Sequence, residues 1–177
     1  MRREPLRDLL ARHPPADAAE AAHLDAMAAL LEVPGDPFSR DHWVPGHFTA
    51  SAFVLSPGGE EVLLIFHGKL HRWLQPGGHV DPTDADVVAA ARREVAEETG
   101  LTDLDVLAPL HDVDIHEIPA RERDPVHRHF DLRVLFRART RAVEAGSDAQ
   151  GVRWIPLDAV AAVDSDASVL RAVAKLR

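Results

Sequence analysis

Glu94, Glu97 and Glu98 stand at i, i+3 and i+4 in the run Arg93-Glu94-Val95-Ala96-Glu97-Glu98-Thr99-Gly100-Leu101. That spacing projects all three carboxylates from one side of a helix within about one turn. Like charges so placed destabilise a helix by roughly a few tenths of a kcal/mol per pair, a cost that a cation among them removes. Hard oxygen ligands of this kind suit Mg²⁺ or Mn²⁺, ions that act on phosphate oxygens. The chemistry to expect is metal-assisted cleavage of a phosphate anhydride. The competing reading of a charge run is a solvated helix face. Against it stand Gly77-Gly78-His79-Val80-Asp81-Pro82 upstream, where a glycine pair lets backbone approach a ligand closely, and Gly100, placed to end the helix.

The elements that position these residues can be read from periodicity and punctuation. The acidic helix spans about Asp84 or Asp86 to Thr99, with aspartates suited to its N-terminus and Val87, Val88, Ala91 and Val95 as its buried stripe. Before it, Thr49–Leu55 and Glu61–Phe66 read as a hairpin around Ser56-Pro57-Gly58-Gly59, and Trp73-Leu74-Gln75 as a short strand entering the glycine turn. After it, Leu104–Glu117 and His129–Arg139 read as strands split by a polar loop, followed by a strand at Gly151–Ile155. A short helix is then expected after Asp158 and another over Ala167–Lys175. Residues 1 to 33 read as two helices, stopped by Pro14-Pro15 and Pro34-Gly35. Strands, hairpins and helices together predict an α+β mixed sheet flanked by helices.

The quoted residues resemble the signature of the Nudix hydrolases: a glycine, five residues, a glutamate, seven residues, then Arg-Glu-aliphatic-any-Glu-Glu-any-Gly-aliphatic. Arg93 to Leu101 matches the second half at every specified position. The first half departs twice. Asp84 stands in for the earlier glutamate, and eight residues rather than seven separate it from Arg93. The resemblance implies a Nudix-like α/β/α sandwich around a mixed β-sheet over residues 46–177, with residues 1–45 as an N-terminal helical arm packed on it. It places metal ligands at Glu94, Glu97, Glu98 and the Gly78 carbonyl, with Mg²⁺ or Mn²⁺ as cofactor. Arg93 then orients a carboxylate, and the general base is Glu97 or Glu98, or a loop carboxylate such as Glu117 or Glu122. The implied reaction is hydrolysis of a pyrophosphate bond in a nucleoside diphosphate linked to another moiety, or in a related nucleotide. Homodimerisation is expected by family analogy alone. The departures put in question the family's contact between its early glutamate and the helix arginine.

Eleven histidines in 177 residues is a high count. His127, His129, Asp131 and Arg133 alternate along one face of a predicted strand, opposite Phe130, Leu132 and Val134. This polar face, with His79 and His116, is expected on the substrate side of the cleft, where His127, His129 and Arg133 meet phosphate or base. The bland alternative is a hydrated face with an Asp131–Arg133 ion pair. Trp73 is a candidate for stacking on a base. His127-Arg128-His129-Phe130-Asp131 also resembles in part the His-any-His-any-Asp-His start of metallo-β-lactamase-type zinc hydrolases, but Leu132 replaces the last histidine. A His-rich zinc hydrolase is therefore one alternative. A non-catalytic Nudix-fold ligand-binding module is another, disfavoured because all three glutamates are present.

Composition narrows the rest. A hydrophobic fraction of 46% supports a core, and no apolar run approaches the ~18 residues of a membrane span. The formal charge of −9 disfavours partners with nucleic-acid or anionic-membrane surfaces. Cysteine is absent, which excludes disulfides, thiolate zinc sites and cysteine nucleophiles. No apolar segment follows Met1-Arg2-Arg3-Glu4-Pro5, so a cytoplasmic protein acting on a small molecule is expected.

Overall fold

The computed structural model describes residues 3–121, 124–146 and 149–177. In chain order the elements are α1 (Arg3–Arg12), α2 (Ala18–Leu30), β1 (Gly46–Leu55), β2 (Glu61–His67), β3 (Arg72–Leu74), β4 (Gly77–His79), α3 (Val87–Thr99), β5 (Leu104–Ile118), β6 (His127–Ala138) and β7 (Ala149–Pro156). A single 3₁₀ turn at Val160–Ala162 and α4 (Ala167–Ala174) complete the chain.

Among the described residues, the seven strands join one mixed sheet with the central order β3-β2-β1-β6-β5. β4 pairs with β1, and β7 with β2. β1 lies parallel to β6 over its whole length, from Gly46↔Arg128 to Leu55↔Arg137, whereas β5 and β6 are antiparallel. The expected β1–β2 hairpin closes only beside its turn, at Leu55↔Val62. Beyond that pair the two strands diverge, and β4 fills the freed edge of β1 through Thr49↔His79, Ala50↔Gly78 and Ser51↔Gly77.

Alternation along the strands sorts the core into two layers. Ala50, Ala52, Val54, Leu132, Val134 and Phe136 pack with α1, α2 and α3. Phe53, Leu55, Val62, Leu64, Leu135 and Ile155 pack on the other face with Val169, Ala172 and Val173 of α4. The result is the helix–sheet–helix sandwich expected from the sequence. Leu6 and Leu10 of α1 and Met27 and Leu30 of α2 are buried in the same cluster as α3. Among the described residues no helix is long and apolar enough to cross a membrane.

Glu20 of α2 ties the N-terminal helices to the C-terminus. Its side chain is fully buried, accepts the Ala16 amide (2.7 Å), and pairs with Lys175 and His13. Burial opposes its ionisation, but the Ala16 amide, Lys175 and His13 outweigh burial and hold the carboxyl at about 2. A pKa depressed in the folded state gives stability that is present above the unfolded value of 4.5 and lost as pH falls towards 2. Glu20→Gln is expected to cost roughly 2–3 kcal/mol at pH 7. Urea unfolding at pH 7, 4 and 3 should show the gap to wild type narrowing as the solution is acidified.

Candidate active site

α3 forms where the sequence places it. The Asp86 side chain accepts the Ala89 amide (2.8 Å), and Gly100 closes the helix with φ 72°, a left-handed conformation suited to glycine. Val87, Ala90, Ala91 and Val95 are buried. The opposite side presents Arg93, Glu94, Glu97 and Glu98 towards β4.

Arg93 is the organising group. Its Nε and Nη2 donate to the two oxygens of Asp84 (3.2 and 3.0 Å), and Nη2 also donates to the His79 carbonyl (2.8 Å). Nη1 donates to Glu94 (2.8 Å) and Glu97 (3.1 Å). The guanidinium thus fixes two carboxylates of the acidic face and staples the helix to β4. Hydrogen bonds to Asp84 and Glu94 hold it charged, above its ordinary range. The aspartate substitution therefore keeps the contact that the sequence put in question. Asp84 itself is held by a turn upstream of the extra residue, in which the Asp84 amide donates to the Asp81 carbonyl (2.9 Å) and the Asp81 amide donates back to the Asp84 carboxylate (2.8 Å). That turn carries the shorter side chain to Arg93.

Glu98 accepts the Gly77 amide (2.9 Å). A Cβ at Gly78 would lie 2.7 Å from Glu94 Oε1, so a side chain there would force that carboxylate to shift. Burial raises the Glu94 pKa despite Arg93. The donor set of carboxylates, with Glu94 packed closely against the glycine backbone of β4, fits a hard divalent ion. Glu117 is exposed, in register with Arg128 at the end of β5. Glu122 lies outside the described residues.

The histidines gather beside β4. His47 of β1 is buried, its ring centroid 5.1 Å from that of His79, 5.0 Å from that of His127 and 4.9 Å from that of His129. His116 stands 5.5 Å from His129, and Trp43 meets the edge of His127 at 4.8 Å. Burial, with repulsion from neighbouring rings, pushes His47 down to about 4 and His129 to about 2, and lowers His79 as well. His116 is raised: although its ring is 46% exposed, the crowding around it opposes charge, and the Asp114 carboxylate outweighs that effect. The downward shifts favour the neutral form of the His79 and His129 rings. His47 is not among the residues that spacing or resemblance singles out. Its signal was the alternation of His47, Thr49 and Ser51 against Phe48, Ala50 and Ala52.

Arg133 departs from expectation. Instead of facing a cleft, it is 1% exposed and donates to Asp131 (2.9 Å), Asp112 (3.0 Å) and Ser168 (2.8 Å). α4 covers this part of the sheet, so the ion pair is interior rather than hydrated. Trp73 also lies elsewhere, packed on the α4-side core with Phe66 and beneath the Arg153 guanidinium at 5.0 Å.

The family model for the NUDIX domain matches residues 45–174. The chain belongs to the NUDIX family. Its enzyme class is that of the Nudix hydrolases, which sets aside the zinc-hydrolase alternative as the identity of the enzyme. A Nudix-family hydrolase from Clostridium perfringens is similar at 22% identity and TM-score 0.56, covering 73% of this chain and 95% of that one. The E. coli dihydroneopterin triphosphate pyrophosphohydrolase is similar at 18% identity and TM-score 0.58, with 71% and 91% covered. A C. elegans Ap4A hydrolase binary complex gives 20% identity and TM-score 0.51, with 72% and 93% covered. No sequence among curated proteins matches. These likenesses establish the Nudix fold around α3 and β4.

Proposed function

We propose that this Nudix protein hydrolyses a phosphoanhydride bond in a nucleoside diphosphate linked to another moiety, or in a related nucleotide. Glu94, Glu97, Glu98 and the Gly78 carbonyl would hold Mg²⁺ or Mn²⁺. Such ions, when bound, neutralise charge developing on the phosphate oxygens and acidify water. Arg93 keeps Glu94 and Glu97 in place, the Gly77 amide orients Glu98, and Glu97 or Glu98 takes the proton from the attacking water. The observation that carries the reading is the Arg93 clamp, which joins Asp84, Glu94, Glu97 and the β4 backbone into one rigid acidic site. Two of the similar enzymes act on dihydroneopterin triphosphate and Ap4A, both of which contain phosphoanhydrides, and this supports the substrate class.

The test is release of phosphate, pyrophosphate or nucleoside monophosphate from a panel of nucleotides and nucleoside diphosphate derivatives. Turnover is expected with Mg²⁺ or Mn²⁺, abolished by EDTA and restored by adding the ion back. Binding of a nucleotide without turnover under any metal would instead identify a ligand-binding module.

A further inference from the structure

The histidine cluster has a geometry of its own. β1 and β6 run parallel with His47 beside His129 in register, and His127 lies two residues along on the same face. One ring nitrogen from each of His47, His127 and His129 falls within 4.8 Å of the others. His47 Nδ1 donates to the His42 carbonyl (3.3 Å), and His127 Nδ1 donates to the Pro125 carbonyl (2.8 Å). Carbonyls only accept, so both protons sit on Nδ1 and both Nε2 atoms offer lone pairs.

Among the described residues, His47 Nε2 is buried with no hydrogen-bond partner. A hydrogen bond from His129 Nε2 to His127 Nε2, 3.3 Å apart, accounts for that pair and still leaves His47 Nε2 bare. A cation among the three accounts for all of them. Two imidazole nitrogens on a tetrahedral zinc, each at about 2.05 Å, stand about 3.3 Å apart. The His127–His129 separation already has that value. A ligating ring whose other N–H is tied to a backbone carbonyl is the usual supporting arrangement at such sites, and two of the three rings have it.

We propose that His47, His127 and His129 form a transition-metal site of the zinc class, separate from the oxygen-ligand site on α3. Three imidazoles without a carboxylate or thiolate select zinc, copper, nickel or cobalt over Mg²⁺. A fourth position is left for water or His79, whose ring is 5.2 Å from that of His129. His79 also gives its carbonyl to Arg93, so the two sites share strand β4.

The experiment uses tag-free full-length protein, stripped with chelator and titrated with Zn²⁺ in excess Mg²⁺. Bound zinc is measured by mass spectrometry and by competition with a chromophoric chelator. Wild type should retain close to one zinc per chain. His129→Asn should lose it, with affinity falling by more than the roughly 100-fold typical of removing a supporting residue. Glu97→Gln should retain it. His47→Asn should behave like His129→Asn; if it misfolds, the half-buried His129, with circular dichroism as the folding check, decides alone. Absence of tight zinc in wild type, equal zinc in His129→Asn, or loss of zinc in Glu97→Gln would each overturn the site. Hydrolysis is not the readout, so failure here leaves the glutamate site untouched.

Discussion

Glu97→Gln is expected to lower kcat by about a thousandfold while leaving the fold intact. The Glu97 side chain is 57% exposed and pairs with Arg93 at 3.1 Å. Exchange for an isosteric amide on an exposed helix face should therefore change stability by no more than about 0.5 kcal/mol. The charge is what matters. Electrostatic stabilisation at a metal-assisted phosphoryl site contributes several kcal/mol, and about 4 kcal/mol corresponds to about three decades in rate. Glu94 is a less clean choice, because it is half-buried and salt-bridged to Arg93, so its replacement would mix folding with catalysis. Two measurements separate the effects: kcat at saturating substrate as a function of Mg²⁺ concentration, and the urea midpoint. Unchanged stability with collapsed kcat and a raised Mg²⁺ requirement supports the assignment. A loss below tenfold would make Glu97 an Arg93-bound surface residue and remove it from the mechanism.

The sequence carried most of the local structure because the local signals agree. Val87, Ala91 and Val95 recur at helical spacing between Asp86 and Gly100, and the structure caps α3 at both residues. The α3 carboxylates were legible for the same reason, since a helix converts sequence spacing directly into spatial position. What could not be read were the consequences of long-range pairing. β1 and β6 lie about 80 residues apart in sequence and pair in parallel, so nothing local joins His47 to His129. β4 has only three residues, two of them glycine, and is a strand because β1 diverges from β2 and leaves an edge open. Arg133 shows the same limit from another direction. Alternation correctly put Asp131 and Arg133 on the face away from Phe130, Leu132 and Val134. It could not say what covers that face, and α4 does, through Ser168.

That covering makes Asp112→Ala the most damaging single substitution expected for folding. Asp112 is buried on β5. Its carboxylate accepts from Arg133 (3.0 Å) and Arg171 (2.9 Å) and pairs with Lys175 (2.6 Å). Removing one partner of a buried ion pair leaves uncompensated charge and costs about 3–5 kcal/mol. Against a total stability of about 5–15 kcal/mol, that is a large fraction. Asp105 provides the control, because its pair with Arg139 is exposed and solvent-screened and should contribute little. Urea unfolding of Asp112→Ala and Asp105→Ala at pH 7 should give midpoints far apart, with similar slopes. Equal midpoints would mean that the buried network contributes nothing beyond a surface pair. The network also reaches the site: Arg133 holds Asp131, which accepts from Thr49 (3.0 Å) and Ser51 (2.7 Å), and Ser51 pairs with Gly77 of β4. The partners of Asp112 are Arg133, Arg171 and Lys175, which lie on β6 and at the C-terminal helix rather than on α3. Below its lowered melting point the variant should therefore keep wild-type kcat, which separates a fold held by ions from a reaction run by the glutamates.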